Sequence, residues 1–179
     1  MSDKDIKAFE DRLTALGESE MQLFRFLLDK PAGAILTAET DKLIAELLER
    51  DDLVMLMPGD KVIIPQKIRE TYAGIWDDEL ELRWQKRNWM YKCLEAARYL
   101  YGVMSKEALR HLFAVRYVNA GMDEVMELFR TTPAHSQWFA ERDGRLVLSG
   151  YEQNDYWKYL ETKIQGDTPY YVPSREETE

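Results

Sequence analysis

The chain has 179 residues, 45% of them hydrophobic and 12% aromatic, and a formal net charge of −9. That is apolar material enough for a core burying about 70% of the surface exposed by the unfolded chain, and it excludes a mainly disordered protein. The acidity weighs against nonspecific attraction to phosphate backbones or anionic lipid, and the single cysteine, Cys93, excludes an intrachain disulfide and suits a reducing cytoplasm.

The opening "MSDKDIKAFEDRL" is charged and amphipathic, without the apolar stretch of a signal peptide. No apolar run approaches the ~20 residues that cross a bilayer, so a cytoplasmic protein with no membrane partner is expected. Ile6, Phe9, Leu13 and Leu16 keep helical spacing until Gly17 interrupts it. Ser19 and Gln22 have the spacing of a capping box for a second helix through "EMQLFRFLLD", which stops before Pro31 and Gly33. The short apolar "AIL" leads to Thr37 as an expected cap, and then to the helix "AETDKLIAELLER". "LVMLMPGDKVIIP" reads as two β-favouring runs around a Pro-Gly-Asp turn.

Beyond Ile75 the pattern is that of a connector. Asp77 and Asp78 favour a helix N-terminus, and apolar spacing then runs to about Tyr101, with Leu82, Trp89, Cys93, Ala96 and Leu100 on its expected core side. Past Gly102 the arrangement recurs. "VM" is a short apolar link, Ser105 caps "SKEALRHLFAVR", "MDEVMELFR" is a further helix, and "QWFAERDGRLVLS" is a hairpin turning at Asp143-Gly144. The two halves repeat in pattern, with turn glycines Gly59 and Gly144 in corresponding places. The expected fold is therefore mainly α with small β-hairpins (α+β). It divides into an N-terminal module at 1–75, a connecting helix at 76–101, and a C-terminal module at 89–179 with an extended tail.

Helix, short strand, one or two helices and a two-stranded wing, found at about 19–66 and again at about 89–150, resembles the winged-helix superfamily. With "YLYGVMSKEAL", a terminal wing and the tail "DTPYYVPSREE", the chain is similar to bacterial proteins built of tandem winged helices. The resemblance implies two such modules joined by a long helix. It brings no catalytic residues, and the cysteine-rich zinc motif of some relatives has no counterpart here.

The residues themselves point away from chemistry. His111 and His135 stand apart and Cys93 has no partner at ligand spacing, so no metal is expected. There is no nucleophile elbow, P-loop or dinucleotide-binding fingerprint, so no catalytic residue, cofactor or small-molecule substrate is assigned, and an enzyme is not expected. Carboxylate pairs fall mainly on charged helix surfaces.

What stands out is a basic segment in an acidic protein. Residues 83–116 hold eight basic side chains against two acidic ones, beginning with "RWQKRNWMYK". On a helical wheel Trp89 and Met90 fall toward the core, while Trp84, Arg87, Tyr91 and Arg98 form a neighbouring stripe. With Lys106 and Arg110 these make the candidate interaction surface, and Lys61, Arg142 and Arg145 mark the wing tips. Three readings stay open for the stripe: packing of a cationic helix on its own acidic modules, a partner's docking surface, or nucleic acid. The helices before the wings are acidic ("AETDKLIAELLERDD", "MDEVMELFR"), which opposes entry into a DNA groove. A non-catalytic regulatory or protein-interaction protein is thus expected, with a protein partner or self-association. The alternative is a DNA-binding transcriptional regulator using 83–116 and the wings. "PYYVP" in the tail suits an extended segment docked on its own domain or a partner's.

Overall fold

The computed structural model describes residues 3–133, 136–151 and 157–158. Its elements are α1 (Asp3–Ala15), α2 (Glu18–Leu28), β1 (Ala34–Ile35), α3 (Glu39–Arg50), β2 (Met55–Met57), β3 (Lys61–Ile63), α4 (Gln66–Ile75), α5 (Asp78–Leu100), β4 (Val103–Ser105), α6 (Lys106–Ala114), α7 (Met122–Arg130), β5 (Phe139–Arg142) and β6 (Arg145–Leu148). The chain is mainly helical with two small antiparallel sheets of three strands, and the long α5 lies between its two halves. Two compact units meet within that helix, one of residues 1–85 and one of residues 86–179.

In the first unit Phe9 and Leu13 of α1, Phe24 and Leu27 of α2, Ala45 and Leu48 of α3, and Val62 and Ile64 around β3 form one buried core. The start of α2 is set differently from the spacing of Ser19 and Gln22. Gly17 is the N-cap, and the Glu20 carboxylate reaches back to accept its N–H at 2.6 Å. A glutamate three residues into a helix has the reach for this, and its charge also suits the helix N-terminus. Thr37 is likewise not the cap of α3, whose N-cap is Ala38 without a side-chain hydrogen bond.

The helix α4 has no counterpart in the sequence expectation. It follows Pro65, whose fixed φ suits the entry to a helix. Arg69 then secures it. Its guanidinium donates to the carbonyls of Ile64 at 3.1 Å, Leu27 and Lys30 at 2.9 Å, and Leu28 as well. Three of those four carbonyls lie at the end of α2 or just past it, where helix carbonyls lack intrahelical donors.

The first sheet has the order β1-β3-β2, with Ala34 opposite Val62 and Ile35 opposite Lys61 on one side, and Leu56 opposite Val62 on the other. Its outer edge at β2 is blunted, because the Glu49 carboxylate accepts the Leu56 N–H at 3.0 Å. Gly33 enters β1 with φ +80°, and a Cβ there would lie 2.6 Å from the Val62 carbonyl oxygen and 2.7 Å from Ile63 Cγ1. Gly33→Ala is therefore expected to destabilise the first unit by about 2 kcal/mol or more, through backbone strain and the contact together. A lower thermal midpoint tests this, and an unchanged midpoint would show that β1 shifts freely.

The second unit repeats the topology, with order β4-β6-β5. Both hairpin glycines take left-handed backbone, Gly59 at φ +77° and Gly144 at +80°. Asp143 at φ 46° completes the tight two-residue turn expected between β5 and β6. Ser105 caps α6 as expected, its Oγ accepting the Ala108 N–H at 3.1 Å. Trp89, Met90, Cys93, Leu94 and Ala97 of α5 pack with Leu109, Leu112 and Phe113 of α6, and with Val125, Met126 and Phe129 of α7.

The core side of α5 differs from the expected one. Leu82 and Leu100 are 45% and 43% exposed, and Leu80, Leu94 and Ala97 are buried instead, while Met90 is buried as its place on the wheel predicts. Toward its C-terminus the buried stripe advances by fours through Trp89, Cys93, Ala97 and Tyr101, so Ala97 and Tyr101 displace Ala96 and Leu100.

Candidate interaction surface

The residues of the basic segment can be followed one by one to their partners. Trp84 belongs to the first unit. Its ring packs against that core, its Nε1 donates to the Leu16 carbonyl at 2.8 Å, and Arg25 lies over it at 5.1 Å. Arg25 also lies 5.4 Å over Trp76 and is paired with Glu81. Glu81 accepts further hydrogen bonds at 3.1 Å from Trp76 Nε1 and Gln85 Nε2. Burial works to raise the Glu81 pKa, but the bonds from Gln85 and Arg25 outweigh it and hold the carboxyl below its usual range. Arg83 pairs with Asp11 at 3.0 Å, fastening the start of α5 to α1.

In the second unit Lys86 is ion-paired with Glu124 of α7, and its Nζ lies 5.7 Å over the Tyr117 ring. Arg87 and Tyr91 are half-buried on α5, each engaged within the chain, as is Lys92. Arg98 lies 4.1 Å over Trp138 and 4.6 Å over Tyr99, and donates to the Tyr99 hydroxyl at 2.7 Å. Lys106 is paired with Glu141 of β5, which Arg130 also reaches at 3.3 Å. The hydrogen bond from Lys106 is the main reason that the Glu141 pKa lies below its ordinary value. Arg116 lies over Trp89 at 5.6 Å and over Tyr117 at 5.8 Å. Arg110, half-buried on α6, makes no hydrogen bond or ion pair among the described residues.

The fold thus brings Lys106 to the hairpin of its own unit and Arg98 onto Trp138, and it commits Trp84 to the packing of the first unit. At the wing tips Lys61 is half-buried, across from Ile35 and Met57 in the sheet, while Arg142 and Arg145 face each other across the Asp143-Gly144 turn. Each of those arginines is engaged within the chain.

Sequence reasoning passed over the exposed apolar residues of the first unit. Leu43 and Leu47 of α3 are 59% and 42% exposed, and Ile35, Met55, Leu56 and Met57 of the sheet are exposed as well. A signal was present. "KLIAELLER" carries Leu43, Ile44, Leu47 and Leu48, a wider apolar arc than one side of a short helix buries.

Cys93 is buried, and burial pushes its thiol well above the usual value, which disfavours the reactive thiolate. Among the described residues no group of three or more His, Cys, Asp or Glu is arranged to hold a metal ion, and no helix is long and apolar enough to cross a membrane. His135 and the tail segment "PYYVP" lie outside the described residues. Compared with known proteins, the chain matches no protein-family model, no curated protein and no solved structure.

Proposed function

We propose that this is a non-catalytic, cytoplasmic protein-interaction or regulatory protein built from two winged-helix-like units. Support for the units comes from their order. The second runs α5, β4, α6, α7 and the β5–β6 hairpin, with β6 central, and the first runs α2, β1, α3 and the β2–β3 hairpin, with β3 central. The observation that carries the function is how the basic segment is engaged. Lys86, Lys106 and Arg83 are ion-paired to carboxylates, and Arg98 and Arg116 are stacked on aromatic rings. Cations held in this way have little left to exchange for phosphate, and counterion release at phosphates is the main driving term of nucleic-acid binding. The helices before the hairpins, α3 and α7, begin with Glu39 and Asp41, and with Asp123 and Glu124. Acidic helices repel a groove and suit protein contacts instead.

The expected result is no mobility shift with random duplex DNA at low salt and no retention on heparin. A salt-sensitive shift that disappears in Arg142→Glu/Arg145→Glu would overturn the proposal in favour of a DNA-binding regulator working through its wing. Affinity purification from the native host, with sequencing of any nucleic acid retained, separates the two readings in cell extract.

A further inference from the structure

The helix α3 carries leucines on two sides. Ala45 and Leu48 are buried in the core, whereas Leu43 and Leu47, one turn apart, face outward at 59% and 42% exposure. Along the same outward side lie Glu39 in the first turn and Arg50 in the last. Their separation of about three turns gives them nearly the same direction from the helix axis. Both are exposed. Arg50 makes no ion pair or hydrogen bond among the described residues, and the Glu39 side chain, 83% exposed, meets Lys42 at 3.2 Å.

These four residues are arranged almost symmetrically about Ala45, with a leucine two places to either side and opposite charges five or six places away. Such an arrangement is complementary to itself when reversed. We propose that the outward side of α3 is a homodimer contact, in which a second copy packs its own α3 antiparallel across a twofold axis at the level of Ala45. The proposal rests on the protein-interaction reading and names the partner.

Leu43 of each copy then meets Leu47 of the other, and Glu39 of each lies beside Arg50 of the other, because a twofold contact is made twice. A parallel arrangement would set Glu39 against Glu39 and Arg50 against Arg50. A basic foreign helix would satisfy Glu39 but leave Arg50 facing like charge. Glu46, also exposed, points within about 20° of the Glu39 direction, so an antiparallel pair brings the two Glu46 side chains to the same solvent edge, a repulsion that weakens the dimer and that salt relieves. Two helices of 12 residues bury less than the roughly 800 Å² per partner typical of stable complexes. The dimer is therefore weak, with Kd on the order of 10–100 µM, and it exchanges rapidly.

Sedimentation equilibrium of the full chain from about 5 to 500 µM tests this. A monomer–dimer equilibrium is expected, with at least a tenfold weaker association in Leu43→Lys and in Leu47→Lys, both exposed positions where the fold tolerates a charge. Glu39→Arg and Arg50→Glu are each expected to weaken the dimer by about threefold to tenfold, since each sets two like-charge pairs across the axis. The double variant Glu39→Arg/Arg50→Glu restores complementarity and is expected to return close to the original Kd. A monomer at every concentration, a dimer indifferent to the leucine changes, or a double variant no better than the single ones overturns the homodimer. None of these outcomes involves duplex binding, which is the separate measurement that overturns the interaction reading.

Discussion

Arg69→Met is expected to lower the stability of the first unit by about 2–4 kcal/mol, although Arg69 is not among the candidate interaction residues. One guanidinium serves the carbonyls of Leu27, Leu28 and Lys30 near the end of α2, and that of Ile64 after β3. Removing it takes away charge-assisted hydrogen bonds, each contributing about 1.5–3 kcal/mol before non-additivity. It also takes away a cation from a helix C-terminus, worth about 0.3–1 kcal/mol. The methionine fills much of the same volume, so the loss reports donors and not packing. Arg69→Lys keeps the charge but not the planar fork, and it is expected to recover less than half of the loss. Urea unfolding followed by tryptophan fluorescence measures both, since Trp76 and Trp84 lie in the first unit. A midpoint for Arg69→Met indistinguishable from that of the parent would mean that water replaces the guanidinium at little cost.

The second large effect is expected at Trp89, which is 1% exposed and donates its Nε1 hydrogen to the Phe113 carbonyl at 3.0 Å. Trp89→Ala opens a cavity among Leu109, Phe113 and Val125, and is expected to cost about 3–5 kcal/mol. Trp89→Phe separates the two contributions. It keeps most of the aromatic volume and loses the donor, with an expected cost of about 1–2 kcal/mol. That lower figure follows from the Phe113 carbonyl, which also accepts the N–H groups of Arg116 and Tyr117 at 3.3 and 3.2 Å and is not orphaned by the change. Near-equal losses in the two variants would show that the hydrogen bond, and not the ring volume, dominates.

Local signals carried much of the fold. The apolar spacing of 122–130, the Ser105 cap and the Asp143-Gly144 turn depend on residues within a few places of one another, and all three read correctly from the sequence. Where neighbouring choices compete, local reading fails. On α5 Ala96 and Ala97 both offered themselves to the core, as did Leu100 and Tyr101, and only packing decides between them. The helix α4 went unread because its ten residues bury no side chain fully, and its anchor, Arg69, bonds to carbonyls about forty places earlier in the chain. The basic segment failed to declare its partners for the same reason. Lys86 meets Glu124, Lys106 meets Glu141 and Arg83 meets Asp11, each pair more than thirty residues apart. A cluster of cations is visible in sequence, but its neutralisation is visible only in space.

In both sheets the central strand is the last to be synthesised: β3 lies between β1 and β2, and β6 lies between β4 and β5. During translation β1 therefore leaves the ribosome with no neighbour to pair with, and so does β4. Each must wait for its own hairpin, until about residue 63 in the first unit and residue 148 in the second. The helices between can form as they emerge, because their hydrogen bonds are local. Each sheet is consequently completed late, when its last strand brings the hairpin against the first strand. The first unit can take that step while most of the second is still unmade, which spares the nascent chain from holding two open sheets at once.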